Sequence, residues 1–388
     1  MTITIDRDYL TKTVTKLVQI NSTNPELSAD GVGETKIAHY TADLLNALGL
    51  TTTLYEIAPD RWNVVGRLAG KGNGRSLLLN AHLDTVGVAG MEDPFSADLR
   101  DGRLYGRGSY DMKGSLAAML AATKALPDGG IELAGDLWVT AVADEEHAGI
   151  GMDHLVKTVS ADAAIVTEPT DLQLCRAHRG FIWFEVDSYG RAAHGSRYQE
   201  GIDANMRMGR FLAGLDELEK ALRRRTPHPL AGPPSLHAAK INGGTEVSTY
   251  ADHCRLLMER RTIPGETVAQ AEAELQAIID QLAAEDETFN VTVKPTFHRG
   301  PFEVAADALI SQTVSAAMES RLGTQPTHIG QTFWTDAAIL HEAGVETVLV
   351  GPTGHGLHSA VEWVDLQSVV NLAHILAETA VNFCRVVK

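Results

Sequence analysis

SLLLNAHLDTV occupies residues 76–86, and its first half is an apolar run of strand length that is followed directly by a histidine and an aspartate. Similar runs occur at 137–143, 163–167 and 347–350, and segments with helical spacing of apolar residues lie between the earlier ones. Buried strands that alternate with helices are typical of a parallel sheet with helices on both faces. We therefore predict an α/β fold with a mixed, largely parallel sheet flanked by helices.

The middle of the chain has a different pattern. Between 178 and 295, strands alternate polar and apolar positions, and the elements follow in the order strand, helix, strand, strand, helix, strand. This order is the split βαβ arrangement of a ferredoxin-like α+β domain. We predict one large domain from 1–177 plus 296–388, interrupted by an inserted domain at 178–295, in which 237–242 could pair with 254–260.

Composition excludes several classes of function. Of the 388 residues, 44% are hydrophobic and 21% are charged, which is ordinary for a globular protein. The formal net charge of -17 argues against nucleic acid, since its binding depends on clustered lysine and arginine. The chain has neither a leader-like start nor an apolar run of about 18 residues. We expect a cytoplasmic protein without membrane contact.

The three cysteines point neither to disulfide bonds nor to a thiolate metal site. Cys175, Cys254 and Cys384 are few and widely spaced along the chain. We expect all three to be small core residues.

Acidic residues and histidines follow every buried run. Ligands of an open parallel sheet bind beyond the carboxyl ends of its strands. The residues that fall there, or that open the helix after a glycine-rich segment, are His82, Asp84, Asp111, Asp144, Glu145, Glu146, Glu168, His355 and His358. Each could alone be an exposed turn residue, but five separate segments converge on one edge of the predicted sheet. Two imidazoles with three carboxylates, one of them bridging, suit two divalent ions such as Zn²⁺, with Co²⁺ or Mn²⁺ as substitutes.

Two pairs within this set have a predicted arrangement. His82 and Asp84 are two residues apart and face the same side of an extended chain, so Asp84 could hold one imidazole nitrogen while the other binds metal. The adjacent Glu145 and Glu146 would repel each other unless a cation or a proton lay between them. A metal ligand beside a general base would resolve that conflict.

Seven segments of the chain resemble the M20 metallopeptidases, in the order in which that family carries them. They are AHLDTV (81–86), GRGSYDMKG (106–114), ADEEHAG (143–149), TEPT (167–170), RAAHGS (191–196), RRTIPGE (260–266) and GLHSAVEWV (356–364). Within the family they are most similar to the acetylornithine deacetylase and succinyl-diaminopimelate desuccinylase members.

This resemblance implies a role for each site residue. The implied metal ligands are Asp111 for both ions, His82 and Glu168 for one ion, and Glu146 and His358 for the other. Glu145 would be the general base, Asp84 would belong to the catalytic set, and His358 is favoured over His355. The peptide bond from Asp111 to Met112 would be cis. The large domain would be the catalytic, metal-binding one.

The resemblance also implies roles for the inserted domain. This domain would be a lid that forms a homodimer, in which His194 reaches the active site of the partner subunit. Arg261 would bind a carboxylate of the substrate. Ser248 stands where many members carry a substrate-binding asparagine, so a contact of that kind is in doubt.

The implied activity is hydrolysis of the amide bond of a small N-acyl amino acid or peptide by a dinuclear metal centre. A dipeptidase or carboxypeptidase of the same family is the alternative. A catalytically silent binding protein is disfavoured because Glu145 lies beside the ligands, and a phosphoesterase is disfavoured because no lysine or arginine cluster is placed to hold phosphate.

Overall fold

The computed structural model describes residues 3–88 and 90–386. The helices are α1 (Arg7–Gln19), α2 (Thr35–Ala47), α3 (Gly114–Asp128), α4 (Ile150–Thr158), α5 (Ala204–Arg223), α6 (Val268–Glu285), α7 (Leu309–Leu322), α8 (Ala337–Glu342) and α9 (Leu366–Cys384). The strands are β1 (Thr51–Ala58), β2 (Arg61–Leu68), β3 (Leu77–His82), β4 (Asp98–Arg100), β5 (Arg103–Tyr105), β6 (Leu137–Val142), β7 (Ala163–Val166), β8 (Leu174–His178), β9 (Gly180–Tyr189), β10 (Ser235–Gly243), β11 (His253–Thr262), β12 (Asn290–Arg299), β13 (Phe302–Glu303), β14 (His328–Gln331), β15 (Glu346–Leu349), β16 (Gly354–His355) and β17 (Trp363–Asp365).

The large sheet confirms the predicted mixed, largely parallel arrangement. Its strands include the order β1-β2-β6-β3-β7-β15-β8. The β3 strand pairs in parallel with β6 and β7, and β15 pairs in parallel with β7. The β1–β2 and β2–β6 pairs are antiparallel. Both β3 and β7 are buried along their whole length, as parallel strands are when helices cover both faces.

A small antiparallel sheet holds together two loops at the carboxyl ends of the large sheet. Its order is β16-β17-β5-β4. Trp363 of β17 pairs with Tyr105 of β5, and His355 of β16 pairs with Trp363. Segments that lie about 250 residues apart in sequence thus meet in one sheet.

The chain folds into two compact units. The first contains the residues up to Arg176, Val304–Ile329 and the residues from Thr335 onward, and the second contains Ala177–Glu303 and Gly330–Trp334. Strand β12 continues past residue 295 to Arg299 because its last residues pair with β9. The predicted domain boundaries at 178 and 295 stay a prediction.

The second unit confirms the predicted ferredoxin-like arrangement. Its sheet has the order β10-β11-β9-β12, in which all pairs are antiparallel, and β10 and β11 do pair. The apolar sides of α5 and α6 share one core with the sheet, around Phe184, Phe211 and Leu256. Thr267 begins α6 with a capping box, in which its side chain and that of Gln270 each accept the other residue's backbone N–H.

Two further expectations concern the cysteines and the membrane. All three cysteines are free and buried, which confirms that they are core residues. Among the residues described, no helix combines the length and the apolar character that crossing a membrane requires.

Phe211 offers a test of the packing in the second unit. Its side chain is fully buried on α5, so Phe211→Ala should lower the free energy of unfolding by about 3–5 kcal/mol. Urea denaturation followed by circular dichroism measures the change. Glu217→Ala on the exposed side of the same helix is the matched control, and it should change stability by no more than about 0.5 kcal/mol. Equal effects of both substitutions would contradict the described core.

Candidate metal centre and active site

The predicted metal ligands lie at the carboxyl ends of the parallel strands of the first unit. His82 is the last residue of β3, Glu146 follows β6, Glu168 follows β7, and His358 lies in the loop between β16 and β17. Asp111 lies in a tight turn, Ser109–Lys113, that leads into α3, and the backbone angles of Asp111 and Met112 are not helical. The sheet therefore brings residues from five segments to one place.

Asp111 lies between two imidazole rings. Its Oδ1 is 3.1 Å from Nε2 of His82, and its Oδ2 is 3.4 Å from Nε2 of His358. Each carboxylate oxygen thus faces a different histidine, as a carboxylate shared by two cations must. The peptide bond between Asp111 and Met112 is cis, which confirms that prediction.

Three glutamates complete the cluster. Oε2 of Glu146 is 3.0 Å from Nε2 of His358, and Oε1 of Glu168 is 3.8 Å from Nε2 of His82. Donor atoms of His82, Glu145 and Glu168 lie within 4.8 Å of one another, as do those of His82, Asp111 and Glu146. The five predicted ligands and the predicted base therefore form one cluster.

The charges of this cluster fit a pair of divalent cations. Burial, together with the charge of Glu168, raises the pKa of Glu145 well above its usual range. Burial, together with the charge of Asp111, raises the pKa of Glu146 to about 7. Among the residues that the structure describes, Oε1 of Glu146 and Oε1 of Glu168 are buried without a hydrogen-bond partner. Two cations would neutralise these carboxylates and coordinate their oxygens, and imidazole with carboxylate is a donor set for Zn²⁺, Co²⁺ or Mn²⁺.

Asp84 holds the His82 ring as expected, but through its backbone carbonyl oxygen rather than its carboxylate. Nδ1 of His82 lies 2.8 Å from the backbone carbonyl oxygen of Asp84 and 3.7 Å from its carboxylate. The carboxylate instead accepts hydrogen bonds from the backbone N–H groups of Glu145 (3.1 Å) and Glu146 (3.2 Å). It also accepts one from the side-chain amide of Asn24 (2.8 Å). Three other donors occupy the carboxylate, so the carbonyl orients the ring. Asp84 therefore positions Glu145 and Glu146.

A buried polar network behind Asp84 was missed by the sequence analysis. Asn24 donates to both Asp84 and Asp144, and Arg61 joins Asp144 (2.8 Å) to Glu34 (2.8 Å). All of these side chains are buried. Asn24, Glu34 and Arg61 do not follow buried runs, and 27 to 120 residues separate the partners, so no local pattern identifies them.

The loop after β15 presents His358 rather than His355 to the cluster. The ring of His355 stacks on Trp363, with 6.1 Å between the ring centroids. His358 has a positive φ of 56°, a conformation that non-glycine residues rarely adopt and that is often found at functional sites. The backbone thus turns sharply at the residue that contacts Asp111 and Glu146.

The two predicted site residues of the inserted domain lie in the second unit. His194 is exposed, and its Nδ1 accepts the backbone N–H of Ser196 at 3.3 Å. Arg261 lies on β11. Its guanidinium donates a hydrogen bond to the carboxylate of Glu259 and lies 5.3 Å from the ring centre of Phe181. Ser248 accepts the N–H of Gly195 through its backbone oxygen (2.7 Å). Their functional roles stay predictions.

Comparison with known proteins identifies relatives over most of the chain. The N-formyl-4-amino-5-aminomethyl-2-methylpyrimidine deformylase of Bacillus subtilis is 29% identical, with 90% of this chain and 89% of that protein covered. The acetylornithine deacetylase of Myxococcus xanthus is also 29% identical, with 97% of each chain covered.

A solved structure and a family model agree with these relatives. The Bacillus subtilis YXEP protein, described as a dinuclear metal-binding peptidase of the M20 family, has a TM-score of 0.75 at 15% identity, with 97% of this chain and 98% of that chain covered. The model of peptidase family M20/M25/M40 matches residues 78–382. This chain therefore belongs to peptidase family M20/M25/M40 and is a metal-dependent amide hydrolase.

Proposed function

We propose that this protein removes a small acyl group from the nitrogen of an amino acid. The observation that carries the proposal is Asp111, whose two carboxylate oxygens face His82 and His358 beside buried glutamates. In this proposal two divalent cations, most simply Zn²⁺ with Co²⁺ or Mn²⁺ as substitutes, would both be held by Asp111. His82 and Glu168 would also hold one cation, and Glu146 and His358 would hold the second.

In the proposed reaction, the cations and the side chains have different roles. Bound cations lower the pKa of water and polarise the scissile carbonyl. Glu145 takes a proton from the attacking water and gives it to the amine nitrogen as the C–N bond breaks. Glu145 lies in the same cluster as the proposed ligands His82 and Glu168, which places it within reach of a water held there. Asp84 fixes the base by accepting its backbone N–H.

His194 is proposed to act on the carbonyl oxygen. Its Nδ1 is engaged by Ser196, through the hydroxyl oxygen at 2.8 Å and the backbone N–H at 3.3 Å, so Nε2 is the ring nitrogen proposed to donate. A donor of this kind stabilises the negative charge that develops on the carbonyl oxygen. In this proposal His194 acts on the active site of the partner subunit.

The proposed homodimer forms through the second unit. Strand β10 lies at the edge of its sheet and is largely exposed, with Ile241 at 54%. An exposed edge strand has unpaired backbone groups that can bind a second chain. A monomer in sedimentation equilibrium would contradict this proposal.

The names of the relatives support the proposed acyl group and the proposed position of cleavage. By their names, the two curated relatives remove an acetyl group and a formyl group. The likeness to the YXEP peptidase supports the fold alone and says nothing about the activity of this chain. A peptidase activity is therefore only the second candidate function. A small acyl group on an amine is therefore the substrate class that we propose.

A substrate panel tests the proposed function. Purified protein supplied with Zn²⁺, Co²⁺ or Mn²⁺ is assayed with N-formyl, N-acetyl and N-succinyl amino acids and with dipeptides. We expect an N-acyl amino acid to be cleaved with a kcat/KM at least about tenfold above that of any dipeptide, which corresponds to about 1.4 kcal/mol. Dipeptides as the best substrates would establish a peptidase, and no hydrolysis of any N-acyl amino acid despite two bound cations would contradict the proposed substrate class.

Arg261 is predicted to bind the carboxylate of the substrate. A charge-assisted hydrogen bond contributes about 1.5–3 kcal/mol, so Arg261→Gln should lower kcat/KM about 10- to 100-fold, mainly through KM. An analogue whose carboxylate is an amide should be affected much less. Arg255→Gln, on the same strand and the same face of its sheet, is the control and should leave the kinetics unchanged. Equal losses with both substrates would contradict the role of Arg261.

A further inference from the structure

Glu362 is a buried acid that contacts the backbone around Asp111. Its Oε1 accepts the N–H groups of Tyr110 (2.9 Å) and Asp111 (3.1 Å), and its Oε2 accepts the N–H of Gly108 (3.0 Å). Its side chain is completely buried and also bonds Arg107 at 2.6 Å. A single carboxylate thus accepts three backbone N–H groups at and just before Asp111, and so holds the turn that carries this residue.

Arg107 extends this contact to two further loops. Its Nη1 donates to Glu362, its Nη2 donates to the carbonyl oxygen of Ser359 (3.0 Å), and its Nε donates to that of Gly87 (3.1 Å). Gly87 follows the segment that carries His82, and Ser359 follows His358 directly. The guanidinium, which is only 2% exposed as a side chain, therefore ties together the loops of three predicted ligands.

The same loops leave little space for movement. Gly108 has a φ of +79°, and a Cβ there would lie 2.7 Å from the side chain of Thr85. Gly356 has a φ of +89°, and a Cβ there would lie 1.8 Å from the backbone oxygen of Val361. Both glycines allow a backbone path that other residues would obstruct. Neighbouring atoms thus fill the space beside both glycines, which limits the movement of the loops that carry Asp111 and His358.

We propose that Glu362 and Arg107 are positioning residues that set the place of Asp111 relative to His82 and His358. We call this pair the latch. Neither side chain is a proposed ligand, and the latch acts through the backbone of Asp111 and the loop of His358. The side chains of a functional site must be held to within about 0.5 Å of their working geometry, and the bonds to this one buried acid restrain the backbone from which the Asp111 carboxylate projects. This inference rests on the proposed two-cation site.

Cobalt binding to the whole protein tests the latch directly. In Glu362→Gln the side-chain oxygen can still accept N–H groups, but the amide NH₂ faces the donors of Gly108 and Arg107. Loss of an outer contact of this kind typically weakens metal binding about 10- to 100-fold. We expect metal-free Glu362→Gln to bind Co²⁺ more weakly by that factor, with an altered visible absorption spectrum. Wild-type affinity and spectrum in this variant would overturn the proposal.

A control separates positioning from general stability. Leu376→Ala removes a fully buried side chain of α9 in the same unit. This variant should unfold at lower urea concentration, yet keep the wild-type Co²⁺ affinity and spectrum. If Leu376→Ala weakens Co²⁺ binding as much as Glu362→Gln does, the effect follows stability alone and the proposal fails.

A second variant applies if Glu362→Gln does not fold. Arg107→Lys keeps a cation near Glu362 but has no planar group that can reach Gly87, Ser359 and Glu362 together. Weaker Co²⁺ binding supports the latch, and unchanged binding overturns it. Failure of the wild-type protein itself to bind two Co²⁺ ions would overturn the proposed function, whereas two ions bound equally by wild type and variants would overturn the latch alone.

Discussion

Glu145→Gln should lower kcat about 100- to 10,000-fold while leaving the metal content of the purified protein unchanged. Glutamine keeps the shape of the side chain and the backbone N–H that Asp84 accepts, but it cannot take a proton from water. The native carboxylate lies beside the proposed ligands His82 and Glu168, where it can reach a water held at the site. The measurement is steady-state kinetics on the best substrate of the panel, together with metal analysis of the same sample.

Glu146→Gln is the matched comparison for the base. Its carboxylate contacts His358 at 3.0 Å and is a proposed ligand, so this substitution should lower the metal content as well as the activity. Comparison of these two variants would thus distinguish a loss of proton transfer from a loss of metal binding. Turnover near the wild-type rate in Glu145→Gln would exclude this residue as the base.

Asp111→Asn should remove both cations and nearly all activity. Asparagine has one oxygen and no charge, so it cannot face both His82 and His358 as the native carboxylate does. We expect less than one bound cation for each chain and a loss of kcat/KM of about 1,000-fold or more, which corresponds to about 4 kcal/mol. Asp98→Asn, on an exposed strand of the small sheet, is the control and should retain both cations.

Chelation should reproduce this loss in the native chain. Removal of the cations should abolish hydrolysis, and Zn²⁺, Co²⁺ or Mn²⁺ should restore it. Since a ligand that binds only the folded state adds about 2.7 kcal/mol at 100 times its Kd, the midpoint of thermal unfolding should rise with metal concentration. Full activity after complete removal of metal from Asp111 and its neighbours would contradict the two-cation proposal.

The centre of the site could be predicted because its residues follow recognisable strands. His82, Glu146 and Glu168 come within a few residues of apolar runs, and parallel strands bring such positions together. Asp111 is different, because it lies in an irregular turn before a helix rather than at the end of a strand. The pattern shows it only as the acid that opens a helix after a glycine-rich segment, whereas its role as a shared ligand and the cis peptide bond after it came from the resemblance to a family.

The supporting contacts could not be predicted from the sequence. Asn24 reaches Asp84 from 60 residues away, and Glu362 reaches Asp111 from 251 residues away. Such bonds have no periodic signal, because they depend on where loops meet in space. The true partner of the Asp84 carboxylate was missed for the same reason, since H-x-D spacing shows which side the residues face but not which donors surround them.

The position of β15 has a consequence for how the chain folds during synthesis. This strand, Glu346–Leu349, lies between β7 and β8, which are both made some 170 residues earlier. The gap between those strands therefore stays open during synthesis until β15 has been made. A product that stops short of β15 would have two unpaired strand edges and no His358, so quality control should recognise it as unfinished.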